Sequence, residues 1–125
     1  MCAMTKKRGS RRAAKSKKKI CILTGGGDAP GLNAVISSVV HRATRAHGFE
    51  VCGSEDGFEG LLQPPGSGKV VDLNEDTIRG IAPRGGSILG CSNVANPWAY
   101  PSRSKGNVRY VNKERTLLKH IRNHG

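Results

Sequence analysis

No run of this 125-residue chain approaches the ~20 apolar residues a membrane-spanning helix needs, and no secretory h-region is present. A cytoplasmic protein with no membrane partner is therefore expected. Cysteine is sparse: Cys2, Cys21, Cys52 and Cys91 stand far apart, none at metal-ligand spacing from another. A zinc site is not expected, and the thiols read as reduced and semi-buried. Acidic residues are missing from residues 1–19, which hold nine bases. That segment also lacks aromatics, and Met1 and Met4 are its only large apolar residues before Lys19. It cannot bury a core and is expected to be a disordered basic tail. Charge alone could carry it to nucleic acid or an anionic surface, it could address an organelle, or it could be an incidental extension. Beyond it, 12 bases face 9 acids, so the high isoelectric point belongs to the tail. No internal repeat is visible.

Two common phosphate motifs are absent as well. A dinucleotide fingerprint needs G-x-G-x-x-G, but Gly25-x-Gly27-x-x ends on Pro30. A P-loop needs Gly-Lys-Ser/Thr, and Gly68-Lys69 is followed by Val70. What stands at residues 20–34 is a third arrangement. Ile20 to Leu23 reads as a buried strand, Gly25-Gly26-Gly27 as a loop, and an amphipathic helix follows from about Gly31 to His47. Glycine permits positive φ and leaves no Cβ in a ligand's path. A helix start adds unpaired N–H groups and a positive dipole end. Together these features suit a phosphate, although an ordinary strand-to-helix turn would look similar.

Leu32, Val35, Ile36, Val39, Val40, Ala43 and Ala46 are expected to form that helix's apolar face, with Ser37 opposite and Gly48 as its cap. Phe49 to Ser54 reads as a second strand, parallel to the first. Further strands are expected at Val70–Leu73 and Ser87–Leu89, with a brief helix at Glu75–Gly80 capped by Asn74. Asn96 to Gly106 reads as a loop containing Trp98. A last helix is expected over Val108–Asn123, with Val111, Leu117, Leu118 and Ile121 inward and His120 and His124 solvated.

The wording Leu23-Thr24-Gly25-Gly26-Gly27-Asp28-Ala29-Pro30-Gly31-Leu32-Asn33-Ala34 resembles the N-terminal signature of the 6-phosphofructokinase family. Asp56-Gly57-Phe58-Glu59-Gly60-Leu61 is similar to that family's second block, and Arg84-Gly85-Gly86-Ser87-Ile88-Leu89-Gly90 to its third. The match covers about residues 19–125 and only the family's opening part. The resemblance implies an α/β fold, a Rossmann-like three-layer sandwich with a mostly parallel sheet, here incomplete. Residues 20–125 would form its N-terminal part. It implies phosphoryl transfer from ATP or pyrophosphate to O1 of fructose 6-phosphate, a glycolytic reaction giving fructose 1,6-bisphosphate. Mg2+ is the implied cofactor and a homo-oligomer the implied assembly.

The same resemblance implies the site. Gly26 would lie against the phosphoryl donor, flanked by Gly25 and Gly27. Asp28 would hold the loop and cap the helix. Phe58 would lie near an adenine or serve the core. Asn93 stands where many members carry an arginine, so a bidentate cation is replaced by a neutral donor. Asn96-Pro97 resembles the branch that mixes ATP and pyrophosphate users. The family's later wordings, Gly-Gly-Asp-Gly-Ser for Mg2+ and Thr-Ile-Asp-Asn-Asp for the catalytic base, do not occur here. No catalytic residue and no metal ligand is assigned, and the chain is expected to be a truncated, inactive piece. The alternative is a non-catalytic module that binds nucleotide, or nucleic acid through its tail.

Overall fold

The computed structural model describes residues 17–124. Most of the expected basic tail, residues 1–16, lies outside them. Lys19, assigned to that tail, instead opens the first strand and is half-buried.

β1 (Lys19–Leu23), α1 (Leu32–His47) and β2 (Glu50–Ser54) follow in order. β1 and β2 pair in parallel, Cys21 opposite Cys52 and Leu23 opposite Ser54. β3 (Val70–Leu73) adds antiparallel to β2, so the three-stranded sheet is mixed, in the order β1-β2-β3. Alternation along each strand assigns the two faces. Ile20, Ile22, Val51, Val71 and Leu73 join α1's Ile36, Val40 and Ala43 in one cluster, with Ile78, Ile81 and Leu89 from the loops. Gly53 lies on this face, where a Cβ would run into a Leu89 methyl. On the other face Leu23 and Val70 pack with Leu61, Leu62, Ala95 and Leu117. These belong in part to α2 (Glu59–Leu62) and α3 (Glu114–Asn123), so helices cover both faces of an α/β fold.

The apolar stripe of α1 is rolled from its expected position. Asn33 and Ser37 are buried beside Ile36, Val40 and Ala43, whereas Val35 is 60% exposed. A polar clamp at Asn33 outweighs the apolar count, as described below. Gly48 closes the helix as expected, at φ 62° with its N–H on the Ala43 and Thr44 carbonyls. Asp28 does not cap the other end. Gly31, at φ 91°, holds that position without a side-chain bond.

Other boundaries differ for local reasons. Asn74 does accept the Asp76 and Thr77 N–H groups, but residues 75–80 form turns, closed by three-residue bonds such as Arg79 N–H to the Asp76 carbonyl. Residues 87–89 are a turn, because the Ile88 and Leu89 N–H groups go to side-chain oxygens of Asn33 and Ser87. The expected loop and the start of the last helix are a hairpin, β4 (Tyr100–Ser104) with β5 (Asn107–Val111). Lys105 and Gly106 turn it, both at positive φ (46° and 81°), as a two-residue hairpin turn requires. α3 begins only at Glu114, and Leu117 is its one buried residue. Val111, Leu118 and Ile121 are exposed. The two histidines are not simply solvated. Nδ1 of His120 lies 2.9 Å from the Leu61 carbonyl, and Nε2 of His124 is buried.

Candidate phosphate site

The glycine loop leaves the carboxyl end of β1, where an open α/β sheet presents ligands. Three segments distant in sequence are tied together around it. Asn33, in the first turn of α1 and 2% exposed, is the knot. Its amide donates to the Arg84 and Gly85 carbonyls (3.1 and 3.2 Å), and its oxygen accepts from Ile88 N–H at 2.8 Å. Thr24 shares a hydrogen bond of 3.1 Å with the Ser87 hydroxyl and donates to the Gly90 carbonyl. Gly25 bridges Ser92 in parallel fashion, extending the line of β1 by one ladder step.

The 56–61 segment closes against the same wall. Asp56 N–H donates to the Leu89 carbonyl at 2.8 Å. Gly57, at φ 68°, runs so close to the Ser92 carbonyl that a Cβ would meet it at 2.6 Å. Buried Ser54 donates to the Gly57 carbonyl (2.6 Å) and accepts from Leu61 N–H (3.1 Å), fixing the turn into α2. From below, the Tyr100 hydroxyl donates to Glu59 at 3.0 Å. Burial, and then that bond, push the Tyr100 phenol above its ordinary value.

Gly25, Gly26, Phe58 and Asn93 line one open cavity of about 320 Å3. Gly27 lies next to this cavity without lining it. Gly26 takes φ 89°, and a Cβ at Gly25, Gly26 or Gly27 would meet nothing within 4 Å. The loop therefore presents bare backbone to open space. Phe58 and Trp98 also line the cavity and form an edge-to-face pair, centroids 6.4 Å apart and planes at 78°. The Asn96 carboxamide oxygen accepts from Trp98 N–H at 3.0 Å and shapes the turn that carries the indole. Sequence reasoning left Trp98 in a loop without a role and gave none to Asn33. The signal for Trp98 was the single tryptophan of the chain placed directly after Asn96-Pro97. For Asn33 it was a polar residue within the first turn of an otherwise apolar stripe.

Among the described residues, no group of three His, Cys, Asp or Glu side chains is placed to hold a metal ion. No helix among them is long and apolar enough to cross a membrane.

The phosphofructokinase family model matches residues 19–118. The chain is 46% identical over 92 residues to the ATP-dependent 6-phosphofructokinase 1 of Synechocystis sp., covering 74% of this chain and 25% of that protein. It is 47% identical over 79 residues to a pyrophosphate–fructose 6-phosphate 1-phosphotransferase of Streptomyces coelicolor, covering 63% and 22%. Among solved structures, phosphofructokinase from Saccharomyces cerevisiae aligns with a TM-score of 0.54 at 36% identity, over 61% of this chain and 10% of that one. The chain thus spans about a quarter of the length of these curated relatives.

Proposed function

The chain belongs to the phosphofructokinase family, and on that premise we propose that its glycine loop holds the phosphoryl donor for transfer to O1 of fructose 6-phosphate. The product is fructose 1,6-bisphosphate, and the setting is cytoplasmic glycolysis. The observation that carries this reading is the convergence of Gly25, Gly26, Phe58 and Asn93 on one cavity, from segments more than 30 residues apart. Phosphoryl transfer needs little covalent chemistry from the protein; it needs phosphates positioned and their charge met. Bare backbone at Gly25 and Gly26 lets phosphate oxygens approach closely. The Asn93 amide supplies a neutral donor beside them. The Phe58–Trp98 wall offers an adenine a stacking surface, which favours ATP over pyrophosphate.

The residues present do not fit a Mg2+ site. Among the described residues no three His, Cys, Asp or Glu side chains group together, and the Gly-Gly-Asp-Gly-Ser wording does not occur in the sequence. Mg2+ therefore enters this reading as the cofactor of the longer relatives, and no step is routed through it here. No residue of the chain is given the role of base.

The test is a titration of the chain with ATP, ADP and pyrophosphate, following fluorescence of Trp98, the only tryptophan. Saturable quenching by ATP is expected. Gly26→Asp brings a negative charge to a site for a polyanion. Like charges ~4 Å apart repel by about 1 kcal/mol in water and about 4 at an effective dielectric near 20. Binding should weaken between about fivefold and several hundredfold. Gly27→Ala, off the cavity and at an unstrained φ, should bind normally. Unchanged affinity in Gly26→Asp would reduce the glycine run to a turn.

A further inference from the structure

Cys21 and Cys52 have no part in the donor cavity, yet they are register partners on adjacent parallel strands. Such strands lie about 4.8 Å apart, and partners at one register send their side chains to the same face. That spacing is within the roughly 4.4–6.8 Å Cα separation that a disulfide spans. Both thiols are free, Cys21 exposed and Cys52 buried, so the pair reaches from solvent into the sheet. They line a cavity of about 130 Å3 together with Lys19, Leu61, Ile121 and His124. A water takes up about 30 Å3 of the liquid, so a small peroxide has room there. His124 adds a buried Nε2 without a hydrogen-bond partner.

Local charge favours one thiolate. The Cys21 thiol beside it pulls Cys52 down to about 7, against its burial, with the Lys19 ammonium helping and Asp72 on β3 opposing. The Cys52 neighbour, with burial, pushes Cys21 up. The Cys52 thiolate is the nucleophile that meets the oxidant first, and Cys21 is the sulfur beside it that resolves the product.

We propose that Cys21 and Cys52 form a cross-strand oxidation site, closed to a disulfide by small hydroperoxides. The thiolate attacks a peroxide oxygen. The O–O bond breaks, the sulfur becomes a sulfenic acid, and the departing oxygen takes a proton and leaves as alcohol, or as water from hydrogen peroxide. The second thiol then attacks the sulfenic sulfur. An S–S bond forms, the S–O bond breaks and water leaves. Two thiols lose two electrons and two protons, and the hydroperoxide accepts both. The bond ties β1, which leads into the glycine loop, to β2, which leads into the 56–61 segment.

To test it, the chain is treated with hydrogen peroxide, its remaining thiols are alkylated, and non-reduced digests are mapped by mass spectrometry. The expected product joins the Cys21 and Cys52 peptides, lighter by two hydrogens, and splits on adding dithiothreitol while Cys91 stays alkylatable. The same treatment in urea should scatter the links among all four cysteines. Cys21→Ser, at an exposed position, should abolish the link and let dimedone trap a sulfenic acid at Cys52. The mapping needs no variant, so a poorly folded Cys52→Ser does not blunt it. Cys21 and Cys52 both still alkylated after Cys91 has been oxidised would overturn the proposal. So would a link that forms equally well in urea.

Discussion

Replacing Asn33 tests whether a single buried carboxamide holds the candidate site together. Its three hydrogen bonds, all at 2.8–3.2 Å, end on backbone groups of residues 84–88. Asn33→Ala leaves the Ile88 N–H without a partner and releases two carbonyls. An unsatisfied buried donor costs about 1–3 kcal/mol, and each lost bond about 1. Arg84, Gly85 and Ile88 are all exposed, so water can reach the freed groups and recover part of that loss. The net destabilisation should be about 2–4 kcal/mol. For a domain near this size that lowers Tm by roughly 10–25 °C. Asn33→Asp should be at least as damaging, because it keeps the acceptor for Ile88 but places a carboxylate against two carbonyl oxygens. Ser38→Ala removes an exposed hydroxyl bonded within α1 and should change stability by no more than about 0.5 kcal/mol. Urea denaturation gives the energies, and amide hydrogen exchange at Ile88 gives the locus. A loss below about 0.5 kcal/mol in Asn33→Ala, with Ile88 still protected, would refute the clamp.

Other perturbations follow from the same geometry. Gly57→Ala forces a Cβ to 2.6 Å from the Ser92 carbonyl at φ 68°; about 2–4 kcal/mol should be lost in urea melts, since backbone meets backbone and neither yields. Trp98→Ala should weaken ATP binding roughly 10- to 100-fold through lost stacking and leave pyrophosphate unchanged, as calorimetry would read. The purified 125-residue chain should form no fructose 1,6-bisphosphate from fructose 6-phosphate with either donor, because it has no assigned base; product above a no-protein blank would contradict that. Alkylation of Cys52 should accelerate as pH rises through about 7 and then level off, because the thiolate is the nucleophile and the neighbouring Cys21 thiol lowers its pKa from 9.0. In Cys21→Ser, where a hydroxyl replaces that thiol, the midpoint should move.

The sequence alone determined what short-range physics controls. An apolar run, three glycines and a helical period define β1, the loop and α1 within a residue of their observed ends, and Gly48 stops the helix where an αL cap is needed. β2 and β3 were legible for the same reason, being apolar segments bounded by turn residues. The order of the three glycine-rich segments carried the family. Tertiary structure decided whatever depends on a distant partner. Asn33 counts against an apolar stripe until residues 84–88 present it with two acceptors and a donor, and α1 then rolls to bury it at Val35's expense. Residues 87–89 have strand-like composition, but side chains take their N–H groups, so no ladder forms. Tyr100–Val111 pairs as a hairpin because Lys105 and Gly106 both accept positive φ, a property of the turn that outweighed the helical reading from Val108 onward. The cavity itself belongs to the fold. Gly26, Phe58 and Asn93 were each nameable from their segments. Their meeting point, with Trp98 on the same cavity, is made by tertiary contacts such as the approach of Gly57, which has no Cβ, to the Ser92 carbonyl.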